Sequence, residues 1–175
     1  LMNTAATPIR APLKRRLAAL LYEGWLLGAV TAVAGLAAGV VATALHNFPL
    51  LARMSVSLLV LGAWWWYCKS NWRKKGQTLP MKVWRIQLRN QHGQVPPLQQ
   101  LRLRFMWACL FLVLIPALAY LALRSAHIAP QAAAAAALFW WILPWGFALL
   151  NPQRQFLYDY LAGTILADQP KESGR

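Results

Sequence analysis

The chain has 175 residues, 59% of them hydrophobic, with a mean hydropathy of +0.40 and a formal net charge of +14. Such hydrophobicity excludes an ordinary soluble domain, and the length leaves room for one compact domain, residues 1–175, and no second one. The positive charge does not imply nucleic acid as a partner, because the Lys and Arg residues flank apolar runs and form no separate basic face.

In chain order, apolar stretches run from Leu17 to Leu45, Phe48 to Tyr67, Phe105 to Leu123 and Ala132 to Leu150. At about 1.5 Å per residue, each is long enough for a helix to cross a hydrocarbon core of about 30 Å. Lys14-Arg15-Arg16 before the first run imitates a signal peptide. The run, however, exceeds the usual 7–15 apolar residues by a wide margin and carries Glu23, so a retained helix is expected. Gly24, Gly28, Ala32 and Gly35 form a stripe of small residues along it, suited to close helix packing or, as the sharper alternative, to a homodimer face.

The second run ends in Trp64-Trp65-Trp66-Tyr67 before Lys69, an aromatic belt at a head-group zone. In the following loop, Cys68–Arg104, Val83–Arg89 alternates apolar and polar residues. That period predicts a strand, with Asn90–Gly93 as a turn and Pro96-Pro97 as a stop, giving a small hairpin. Pro116 and Pro144 interrupt the third and fourth runs and predict kinks. Beyond Asn151-Pro152, residues Gln153–Ala167 show helical periodicity but are too short to span easily, so an interfacial helix is expected.

Connected in order, the spans place sixteen of the eighteen Lys and Arg residues on one side, leaving Arg53 and Arg124 opposite. The basic side is then cytoplasmic and holds both termini. The fold class expected is an all-α polytopic membrane protein. It has four transmembrane helices, a basic cytoplasmic loop with a small hairpin, and a C-terminal interfacial amphipathic helix.

Little in the chain suggests catalysis. Cys68 and Cys109 have no metal-ligand spacing around them, His46 and His127 have no acid or cysteine close in sequence, and His92 reads as a solvated turn residue. No Ser/His/Asp set or phosphate-binding glycine loop occurs, so neither an enzyme nor a cofactor is expected. Asp168 and Glu172 read as solvated tail residues. Glu23 differs: it lies about two turns inside the first span, where an ionised carboxylate is expensive, with Arg16 seven residues earlier on the same face. Asp159 is the other acid close to the membrane, five residues after Arg154.

These residues also carry a family likeness. Arg16-Leu17-Ala18-Ala19-Leu20-Leu21-Tyr22-Glu23 resembles the first signature of RDD family membrane proteins. Gly76-Gln77-Thr78-Leu79-Pro80-Met81-Lys82 resembles its loop signature, and the segment from Arg154 to Thr164 its C-terminal signature. The arginine and two aspartates of the family name map to Arg16, Glu23 and Asp159. Glu23 replaces the usual Asp, and Pro80 occupies the place of a usual glycine. The resemblance implies a bacterial inner-membrane protein, and some members are associated with cation/proton exchange.

Two functional readings follow. In the first, Arg16, Glu23, Arg154 and Asp159 form an ionic cluster on the cytoplasmic side that clamps the C-terminal helix to the first span of a scaffold or accessory protein. In the second, Glu23 is the protonatable group of a small cation/proton exchanger. The partners expected are the bilayer with its anionic lipid head groups, and a homo-oligomer or membrane partner protein that the basic Arg73-Lys74-Lys75 could engage.

Overall fold

The structure, a computed structural model, describes residues 8–169. Four helical stretches among these residues are long and apolar enough to cross a membrane: Leu13–Ala44, Pro49–Val83, Leu98–Ser125 and Pro130–Leu150. Each covers an apolar stretch read from the sequence and overruns it at one or both ends, except that the first stops one residue short of Leu45 and the second starts one residue after Phe48. Helical hydrogen bonding needs no apolar side chain, so the basic flanks continue the same helices. The chain divides into two compact units. The first comprises Ala11–Gln87 with described residues 168–169, and the second Leu88–Ala167 with described residues 8–10.

In the first unit, α1 (Leu13–Ala44) and α2 (Pro49–Lys75) pack together as a helical hairpin. The buried residues of α1 are Arg16, Ala19, Ala34 and Ala38, at spacings that keep them on one face. Trp64 reaches across the hairpin and donates its indole N–H to the Thr31 hydroxyl at 2.8 Å, which itself donates to Leu27 O. A methyl group placed on Gly24, Gly28, Gly35 or Gly39 would meet nothing within 4 Å. The glycines of the small-residue stripe therefore make no close contact with α2, and the stripe lies about a quarter turn from the buried face of α1.

The last turn of α2 carries Arg73, Lys74 and Lys75, which complement the negative end of the helix dipole. Gly76 ends the helix at φ 68°, where a side chain would clash, and its N–H donates to Trp72 O. The chain then folds back onto α1. Thr78 meets Glu23, a single helical turn α3 (Leu79–Val83) packs on α1, and Arg15 donates to Trp84 O. Those two contact points on α1 are eight residues, or about 12 Å, apart. The segment after α2 thus dips back along the first span and climbs out again.

In the second unit, the third span starts as α4 (Leu98–Cys109), widens into a π-helical turn at Leu110–Leu114, and continues as α5 (Ile115–Ser125). The cause is Pro116, which has no N–H for the Leu112 carbonyl. Trp141 supplies the missing donor at 2.9 Å. Pro144 acts likewise in the fourth span, which is broken at Trp140-Trp141 between α6 (Pro130–Phe139) and α7 (Ile142–Leu150). There Leu143 N–H takes the Trp140 carbonyl instead. Both prolines interrupt their helices as the sequence predicts.

Two expectations need correction. The loop strand is β1 (Ile86–Asn90), and its turn forms: Asn90 N–H donates to Gln94 O, and the Asn90 side-chain oxygen accepts from the His92 and Gln94 N–H groups. No local hairpin follows, because Pro96 and Pro97 supply no donors to a returning strand. The partner of β1 is β2 (Thr164–Asp168), at the far end of the chain. Arg10 adds an antiparallel bridge at Ala167.

The helix expected over Gln153–Ala167 is likewise shorter. Helix α8 covers only Leu157–Ala162, and Gly163 at φ 67° stops it. The apolar run Ile165-Leu166-Ala167 is then buried as strand, not as a helical face. Asp168, read as a solvated tail residue, ends β2 and forms an ion pair with Arg15 at 2.7 Å. Glu172 lies outside the described residues.

Candidate functional site

Apart from Pro144 in the fourth apolar run, the largest fully buried side chains lie outside the apolar runs. In the second unit these are Leu88, Leu101, Phe156, Asp159 and Thr164; in the first, Thr78, Pro80 and Ile86. The spans themselves keep most of their side chains on the outside, as a lipid-facing helix must. The candidate site therefore consists of polar groups in these two packed ends, each taken within its own unit.

In the first unit the centre is Glu23. Its Oε2 accepts a hydrogen bond from the Thr78 hydroxyl at 2.5 Å, and the Tyr67 hydroxyl interacts with the same carboxylate. Three elements converge there: α1 contributes the acid, α2 the phenol and the Gly76-Gln77-Thr78 segment the hydroxyl. Arg16, two turns earlier on the same face, is 4% exposed. Gln77 extends the arrangement, donating to Ile86 O at 2.9 Å and to Gln169 Oε1 at 2.7 Å. Gly76 provides the left-handed turn that brings both side chains back to the bundle. The loop motif read from the sequence is thus a backbone reversal followed by two hydrogen-bonding side chains, all three residues buried.

In the second unit the centre is Asp159, 2% exposed. Its Oδ1 accepts from Arg104 Nε at 2.6 Å and from the Thr164 hydroxyl at 3.0 Å. The Arg104 guanidinium also lies over the Tyr158 ring, 5.5 Å from its centroid. Gln155 donates to Thr164 O at 3.1 Å. Arg104 ends the basic loop in the sequence, and helix α4 carries it inward against α8. Arg154, the nearer arginine in sequence, lies exposed in a turn with φ 48°, its N–H donating to Asn151 O. The four residues picked out in the sequence consequently fall into two units: Arg16 and Glu23 in one, Arg154 and Asp159 in the other.

Sequence reasoning missed Arg104, Thr164 and Tyr67. Arg104 was hidden among the topology-setting cations, and its position one residue before an apolar run was the available signal. Thr164 sat inside a segment read as helix, which concealed its return toward Asp159.

A polar cleft of about 590 Å³ in the second unit is lined by Pro8, Arg10, Gln91, Gln153, Gln155 and Ile165. Its one cation is already engaged, since Arg10 donates to the Gln153 carbonyl and to Gln153 Oε1, each at 3.0 Å. Among the described residues no group of three or more His, Cys, Asp or Glu could hold a metal ion.

Four membrane-length apolar helices with polar side chains gathered at their basic ends define a polytopic membrane protein. A family model for the RDD family matches residues 10–163, most of the chain. The chain belongs to the RDD family, and the three signature segments noted above fall within the match or end one residue past it. Neither a curated protein nor a solved structure matches it significantly.

Proposed function

We propose that the chain is a scaffold or accessory protein of the bacterial inner membrane, with its basic ends and both termini in the cytoplasm. In this reading its acids are fasteners. The supporting observation is that each of the two signature acids is tied to a residue 55 positions away on another element: Glu23 to Thr78 and Asp159 to Arg104. A carboxylate engaged by an arginine and a threonine, almost fully buried, holds helices in one arrangement. The positive-inside distribution supports the orientation.

The second reading, cation/proton exchange at Glu23, draws on the half-buried placement of that acid inside a span. One comparison separates the two. Wild type and Glu23→Gln are reconstituted in proteoliposomes under an imposed pH gradient, and their thermal unfolding is followed in detergent. The scaffold reading expects no Na⁺ or K⁺ flux above empty liposomes from either protein, and a mutant that unfolds several degrees lower. Wild-type flux that vanishes in an equally stable mutant would replace the scaffold with an exchanger.

A further inference from the structure

The segment that returns along α1 presents an unusual outer face. On α3, Pro80 and Met81 are buried against the first unit, whereas Leu79 is 50% exposed and Val83 58% exposed. Trp84, immediately after the helix, is 37% exposed. These three apolar side chains point outward from a segment that neither solvent nor protein covers favourably. Its depth is fixed by its contacts. Thr78 lies at the level of Glu23, inside the first span, and Trp84 at the level of Arg15, in its basic flank. The face therefore occupies the zone where acyl chains give way to head groups, which tryptophan favours.

Lys82 and Arg85 are interleaved with these apolar residues, and both are exposed. Arg85 sits in the left-handed region at φ 51°, a conformation held by its N–H donating to Lys82 O and its carbonyl accepting from Gln169 N–H. Neither cation forms an ion pair among the described residues. Among the described residues, the acids of the same unit are occupied, Glu23 by Thr78 and Asp168 by Arg15. No acid among the described residues therefore compensates the positive charge on this face. Exposed apolar side chains beside uncompensated cations at interface depth match an anionic phospholipid, with its phosphate on the cations and its chain starts against Leu79 and Val83.

We propose that α3 and the two residues after it form a seat for one anionic phospholipid, with Lys82 and Arg85 holding the head group. The seat stands apart from the scaffold reading, since neither cation takes part in the Glu23 or Asp159 fasteners.

The full chain is reconstituted in vesicles of equal phosphatidylglycerol and phosphatidylcholine and extracted in mild detergent. Native mass spectrometry then gives the ratio of the two lipids retained. Each surface cation strengthens such binding about fivefold, so Lys82→Gln with Arg85→Gln should lower the wild-type preference for phosphatidylglycerol by about 30-fold. Lys82→Arg with Arg85→Lys should keep it, and Leu79→Ser with Val83→Ser should lower retention of both lipids. Neutralising Arg73, Lys74 and Lys75 together should leave the preference in place. Unfolding temperatures within a few degrees of wild type show that the variants are folded.

An unchanged preference in the Lys82/Arg85 variant overturns the seat. So does a preference lost only in the Arg73/Lys74/Lys75 variant. Collapse of the wild-type preference on adding inorganic phosphate at constant ionic strength would assign the two cations to a soluble anion instead.

Discussion

Asp159 illustrates how much of this protein rests on a few polar atoms. One carboxylate oxygen takes both the Arg104 guanidinium and the Thr164 hydroxyl, in surroundings almost closed to water. Removing one partner of such a pair leaves the other charge buried and uncompensated, which typically costs about 3–5 kcal/mol. Asp159→Ala should therefore unfold at markedly lower temperature in detergent. Arg104→Met combined with Asp159→Leu should recover much of the loss, because the stranded charge is gone; a double variant as unstable as the single one would contradict this account. By contrast the Arg15–Asp168 pair, about a quarter and a third exposed, should contribute little. The acid was legible in the sequence, since a chain with four acidic residues displays each of them. Its partner was not, because choosing Arg104 over Arg154 requires knowing that α4 packs on α8.

At the scale of elements, punctuation residues decide where patterns end. Gly163 turns what could have been one amphipathic helix into a short helix and a strand, and its φ of 67° is the reason. Gly163→Ala should destabilise the chain by about 1–2 kcal/mol, the cost of holding an L-residue in that conformation. The measurement is the midpoint of thermal unfolding; an unchanged midpoint would mean that the turn can relax. Periodicity in the C-terminal segment does not reveal the break, because Phe156, Tyr160 and Thr164 fit a helical face equally well whether or not the helix continues past Gly163. The loop strand is legible in the sequence, since alternation is a local property. Its partner is not, because strand pairing across the chain leaves no local trace. The prolines in the third and fourth spans were legible as interruptions. That the Trp141 indole would supply the donor missing at Leu112 was not.

At the scale of the whole molecule, four apolar helices and the one-sided distribution of Lys and Arg govern how the chain meets a bilayer. With Cys68 and Cys109 replaced by Ala, single cysteines at Lys74 and at Ser125 should label from opposite sides of intact cells. A membrane-impermeant maleimide is expected to reach Ser125→Cys and to miss Lys74→Cys until the membrane is opened. The reverse pattern would invert the orientation proposed for the basic ends.

The sequence by itself determined the number of spans, their approximate limits, the residues of the signature segments and hence the family. Each of these follows from hydropathy, charge or short-range spacing, which need no knowledge of the distant chain. Tertiary structure decided which groups meet: Thr78 with Glu23, Arg104 and Thr164 with Asp159, and β1 with β2. The physical reason is that buried polar groups take whichever partner the packing of their elements delivers, and that packing is a property of the folded chain as a whole.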